Sequence, residues 1–91
     1  MSKVILQGHI VVPNTDLEAV SEALPKHIEL TQQEPGCLIF KVFQDTDNES
    51  IFHVYEEFDS QDSFKKHQQR VRNSSWGALT VNVERHYAIS E

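Results

Sequence analysis

The sequence predicts an α+β fold in one domain, residues 1–91, with its elements in the order βαββαβ. Three observations carry that expectation. β-Branched and aromatic runs recur at 4–12, 37–44, 50–58 and 81–89. Between them lie two stretches whose apolar residues repeat at helical spacing. A chain of 91 residues is also shorter than those that ordinarily divide into two domains.

Taken in order, the first run, Val4 to Val12, is a strand that ends at the turn pair Pro13-Asn14. Thr15 with Glu18 three residues on has the spacing of a capping box. Leu17, Val20, Leu24 and Ile28 then form one buried stripe. Pro25 removes an amide donor inside this helix and crowds the preceding turn. The expectation is a kink or two short helices in sequence, the second ending near Glu34-Pro35-Gly36. Cys37–Gln44 and Ser50–Phe58 flank the polar run Asp45-Thr46-Asp47-Asn48-Glu49, which predicts an antiparallel hairpin. Asp59-Ser60 can cap a second helix with the stripe Phe64, His67, Gln68 and Val71. Arg72 to Gly77 fits either a helical turn or a loop, and a final strand spans about Val81 to Ile89. This order is that of a ferredoxin-like sandwich, with helices on one face of a four-stranded sheet.

The hairpin is apolar on both faces. Leu38, Phe40 and Val42 alternate with Cys37, Ile39 and Phe43, and Phe52, Val54 and Phe58 alternate with Ile51 and Tyr55. Two helices cover only one face. Leaving the other wet forgoes roughly 1.5–3 kcal/mol per large side chain, so a homodimer packed sheet to sheet is expected.

Composition removes several functions. A formal charge of −6 opposes any sequence-independent hold on nucleic acid, and equally on anionic membrane surfaces. The N-terminal MSKVILQGHIVV lacks a small-residue cleavage site, and no run approaches the ~20 apolar residues of a membrane span. Cys37 is the only cysteine, so no internal disulfide forms and a cytoplasmic setting is expected. Packing after Gly36 suits this thiol better than nucleophilic chemistry.

For chemistry, His67 stands out. It lies three residues after Phe64 and four before Val71, so its ring points toward the sheet. A buried ring without a hydrogen-bond partner costs ~1–3 kcal/mol. The expected partner is Glu56, which shares a strand face with Val54 and Phe58; Glu57 is the alternative if the register shifts by one. A carboxylate on one ring nitrogen fixes the tautomer and frees the other as a base, although the pair also suits a purely structural role. Phe40, Phe58, Phe64 and Trp76 supply aromatic walls for a small-molecule pocket, or simply core. His9 and His53 on strands could join His67 around a metal, but no histidine pair has local ligand spacing, so no metal site is expected. Arg85-His86-Tyr87 reads as edge or interface chemistry, and no phosphate or flavin cradle is visible, so no cofactor is expected.

The stretches Glu34-Pro35-Gly36-Cys37, Ile51 to Phe58, and Ser63-Phe64-Lys65-Lys66-His67 resemble the antibiotic biosynthesis monooxygenase family. Its pattern is EPGC, a strand ending in YE-x-W and a helix carrying a histidine. The resemblance spans nearly the whole chain and implies a dimeric α+β barrel. Glu56 matches the family's strand glutamate and His67 its helix histidine, which implies that these two are catalytic. Phe58 stands where the family commonly has tryptophan, removing an indole donor. Haem degradation is disfavoured, because that branch places tryptophan where His67 stands and histidine near Trp76 and Gly77.

The resemblance implies a monooxygenase that oxidises a small phenol or quinol with dioxygen, needing neither metal nor flavin. Ordinary histidine and phenol values differ by about 3.5 units, roughly 5 kcal/mol uphill, so the cavity must favour the phenolate or the substrate must be an acidic quinol. The alternatives are an acid–base isomerase acting on a small ligand, and a non-catalytic ligand-binding dimer.

Overall fold

The computed structural model describes residues 3–91. Its strands are β1 (Val4–Val11), β2 (Cys37–Gln44), β3 (Ile51–Phe58) and β4 (Glu84–Ser90). The helices are α1 (Leu17–Gln32), α2 (Gln61–Arg72) and the short α3 (Ser75–Leu79). The strands form one antiparallel sheet in the order β2-β3-β1-β4. The core lies between the helices and one sheet face. Val4, Leu6, Ile10 and Val12 meet Phe52, Val54 and Phe58 there, covered by Val20 and Phe64. Each such side chain contributes ~1.5–3 kcal/mol on leaving water. No described helix is long and apolar enough to cross a membrane.

Several local expectations are corrected. Thr15 does not cap α1: a single 3-10 turn, Asn14–Asp16, precedes it, and Asp16 takes the cap position without a side-chain bond. Pro25 does not divide the helix in two. Its missing N–H would have served the carbonyl of Ser21, and both residues are exposed, so water can take that acceptor. At the other end, Ser60 caps α2 through the Ser63 amide. The segment before α3 resolves as a turn followed by a helix capped by Ser74. The last strand begins at Glu84 rather than Val81, because Val83 tucks into the core beside Thr80.

A bulge alters β2. Cys37 opposes Phe58 and Ile39 opposes Glu57, so Leu38 is the extra residue. Cys37 therefore shares the helix-side face with Phe40 and Val42, while Leu38, 54% exposed, leaves the alternation. The opposite face carries Ile39 and Phe43 of β2, Ile51, His53 and Tyr55 of β3, and their β1 neighbours. No described helix lies over it, and Phe43 is 58% exposed.

Candidate functional site

A cavity of about 610 Å³ lies between the helices and the sheet. Leu6, Ile10, Val42 and Val54 form its floor, and Phe40, Phe64 and Trp76 its aromatic walls. Phe58 is not part of the lining. It is wholly buried, with its ring centroid 4.9 Å from that of His67, and so backs the histidine instead of meeting a ligand.

His67 reaches this cavity because α2 turns residues 64, 67 and 71 toward the sheet. Its bonded partner is Glu34, not Glu56. Nδ1–H donates to the Glu34 carboxylate, with distances of 3.0 and 3.2 Å to the two oxygens. A carboxylate only accepts, so Nδ1 holds the proton and Nε2 keeps its lone pair. Arg70, one turn along α2, grips the same carboxylate through Nε, and its Nη2 donates to Thr31 Oγ1 at 2.9 Å. Thr31 is fully buried and donates in turn to the His27 carbonyl at 2.8 Å. Glu34 is set by the turn after α1, where Gly36 at φ +88° bends the chain into β2. A Cβ at Gly36 would lie 2.1 Å from Ser63 Oγ.

Glu56 sits on β3 between Leu6 and Phe40 of the neighbouring strands and is 6% exposed. Its Oε1 is 3.7 Å from His67 Nε2, beyond hydrogen-bond reach, and has no partner among the described residues. Burial, with the nearby Glu34 charge second, pushes this carboxyl up to about 8. At neutral pH it is mainly the uncharged acid. Burial also lowers His67, against the pull of the Glu34 carboxylate. The site thus holds a neutral imidazole and a neutral carboxylic acid.

His27 was absent from the expected site, because the α1 stripe runs through Val20, His27 and Thr31 while Ile28 stays at its margin. The ring stacks on Trp76 at 4.4 Å with only 4° between the planes, and its edge meets Phe40. Burial first, and the charges of His67 and Arg70 next, push it down to about 3, so it is neutral. Its Nδ1 is buried without a partner among the described residues. The alternating pattern of 20, 24, 27 and 31 was the signal available for it.

The remaining predicted groups separate. His9, His53 and His86 share a row on the opposite sheet face with Phe43, away from His67. His9 and His86 stack at 4.7 Å, and His53 Nε2 pairs with Asp45 at 2.7 Å. No group of three or more metal-ligating side chains occurs among the described residues. Arg85-His86-Tyr87, expected at an edge or interface, lie on the edge strand β4, where Arg85 and Tyr87 line the cavity and His86 faces outward. Burial raises the Cys37 thiol, which keeps it protonated.

A ferredoxin-like α+β domain with an aromatic cavity, a carboxylate-held histidine and a buried neutral acid is thereby defined. Residues 3–73 match the antibiotic biosynthesis monooxygenase family, and the chain belongs to it. Solved structures share the fold at low identity. A conserved protein of unknown function from Bacteroides thetaiotaomicron, described as a possible oxidoreductase, is 19% identical. It has a TM-score of 0.82, and the match covers 99% of this chain and 97% of that one. A candidate antibiotic biosynthesis monooxygenase from Nitrosomonas europaea is 20% identical with a TM-score of 0.80, at 99% and 97% coverage. One from Deinococcus radiodurans is 22% identical with a TM-score of 0.78, at 97% and 90% coverage. No curated protein matches the sequence.

Proposed function

We propose that this chain is a cofactor-independent monooxygenase acting on a small phenol or quinol, with His67 as the base. One observation carries the reading: Glu34, itself gripped by Arg70 in a partly buried pair, holds Nδ1, leaving Nε2 free beside an aromatic cavity. A phenol proton passes to Nε2, and the imidazolium formed is stabilised by the Glu34 carboxylate already in place. Glu56 in its acid form does not repel the phenolate and offers it a hydrogen bond. A carboxylate there would oppose the same ionisation.

The phenolate then passes one electron to dioxygen, and the aryloxyl radical and superoxide combine at a ring carbon bearing hydrogen. The imidazolium of His67 returns its proton to the ring-bound peroxide, and loss of the carbon-bound proton then breaks the O–O bond; the departing hydroxide takes up that proton and leaves as water, giving a quinone. One oxygen atom enters the product and the other leaves in water. The expected test result is at least a 100-fold fall in oxygen uptake with a naphthol or naphthoquinol in metal-stripped His67→Ala, the scale of a lost general base. Equal uptake by wild type and variant would remove His67 from that role.

A second reading, an acid–base isomerase, is favoured by the neutral Glu56 acid standing 3.7 Å from the His67 base. Turnover that persists without oxygen would select it. Either enzyme is proposed to be a homodimer, its second copy seated on the uncovered sheet face around Phe43. A protonated, half-buried Cys37 thiol suits a reducing cytoplasm.

A further inference from the structure

The arginines are unevenly placed. The chain has three, in a molecule whose formal charge is −6. Arg72 and Arg85 line the cavity, and Arg70 backs it through Glu34. The only acidic residue in the lining is Glu56, and burial keeps it neutral. The lining residues that remain exposed are Gln68 and Arg72 of α2, Val81 after α3, and Arg85 and Tyr87 of β4. The mouth therefore lies between α2 and β4, with an arginine on each side.

Arg85 is fixed there. Its Nη2 donates to the Thr80 carbonyl at 3.2 Å and to Thr80 Oγ1 at 3.1 Å, and Thr80 is fully buried. Nη1 donates to the Val83 carbonyl at 3.4 Å, so three of the five N–H groups are engaged and two remain on a residue that lines the cavity. Tyr87, two residues on along the same strand face, is raised to about 12 by desolvation and stays a neutral donor. A planar fork opposite a second guanidinium suits an oxyanion better than a neutral group.

We propose that the natural ligand is an aromatic compound bearing an oxyanion substituent, a carboxylate or a phosphate ester, seated at the mouth between Arg72 and Arg85. This rests on the phenol-binding reading of the cavity and narrows it: the ring lies among Phe40, Phe64 and Trp76, and the anion marks the outer end. It also sets orientation, since an anion held at the mouth directs the opposite end of the ring to His67.

Trp76 is the only tryptophan and lines the cavity, so quenching of its fluorescence reports occupancy without any turnover. The probes are 6-hydroxy-2-naphthoic acid, its methyl ester, 2-naphthyl phosphate and 2-naphthol. At least one anionic probe should bind about tenfold more tightly than the neutral pair, and the stronger of the two identifies the group. Raising salt should weaken the anion alone. Arg72→Glu, at an exposed helix position, should abolish that preference, and Arg85→Lys should reduce it severalfold. Equal affinity of all four probes for wild type, or a preference that survives Arg72→Glu, overturns the anion site while leaving the cavity reading intact. Failure of every probe to quench Trp76 overturns both. Absence of oxygen uptake alongside selective anion binding would strike only the monooxygenase reading.

Discussion

Replacing Glu56 by glutamine should change the pH dependence of stability in opposite directions on the two sides of neutrality. In the folded chain Glu56 holds its proton up to about pH 8, whereas the unfolded chain releases it near the ordinary carboxylate value. Between those values the folded state carries one more proton than the unfolded, so stability falls as pH rises, by ~1.4 kcal/mol per unit. His27 works the other way. Held down to about 3, it stays neutral when the unfolded chain protonates, and stability falls as pH drops below about 6.5. Below that pH His27, joined by His67, which burial also lowers, opposes Glu56; well above it only Glu56 remains. Wild type should therefore lose about 1 kcal/mol between pH 6.5 and 8, since Glu56 is half ionised by pH 8 and the last of the His27 effect opposes it, and change less between 6.5 and 5. Glu56→Gln should be level from 6.5 to 8 and lose about 2 kcal/mol from 6.5 to 5, as His27 acts unopposed. Urea unfolding at fixed protein concentration measures both limbs. Parallel profiles for the two proteins would mean that Glu56 is ionised in the fold, and the neutral-acid account of the site would fail.

Two further outcomes concern the scaffold. Gly36→Ala places a methyl group against Ser63 Oγ at φ +88°, and should cost about 2 kcal/mol, a drop in melting temperature of roughly 10 °C. A shift within the error of a thermal melt would show that the turn relaxes freely. Phe43→Lys, on the uncovered sheet face, should convert a sedimenting dimer to monomers without loss of secondary structure. A wild type that sediments as a monomer would remove the proposed second copy.

Much of the fold was legible because each element carries its own period. The hairpin, the Ser60 cap and the inward face of α2 all follow from spacing within one segment. Errors arose where a segment's geometry depends on something outside it. The Leu38 bulge is fixed by pairing with β3, and it carries Cys37 to the face opposite the one simple alternation gives. Pro25 is tolerated because the acceptor it leaves unserved lies on the wet side of α1, which depends on how the helix docks.

The site divides along the same line. The inward direction of His67 is a property of one helix and could be read from Phe64 and Val71. Its partner Glu34 is 33 residues away, in a turn where the sequence gives reason to expect only a chain reversal. His27 was hidden by Ile28, its apolar neighbour, which also continues a helical stripe.

The exchange of Glu34 for Glu56 alters the chemistry as well as the contact. Had Glu56 clamped the ring, the cavity would have contained a carboxylate beside the atom where a phenolate must form. With Glu34 outside the cavity lining and paired to Arg70, the negative charge that steadies the imidazolium lies behind the ring. Glu56 is then free to remain an acid, and the cavity faces its ligand with neutral polar groups inside and guanidinium groups at the mouth. Under the proposed mechanism, charge separation of this kind favours an anion at both stages, on arrival and after the proton has moved. It also sets an order on substitutions: ionising Glu56 or reversing Arg72 should each weaken anion binding, whereas Glu34→Gln should act on the proton transfer first, because the charge it removes balances the imidazolium and not the ligand.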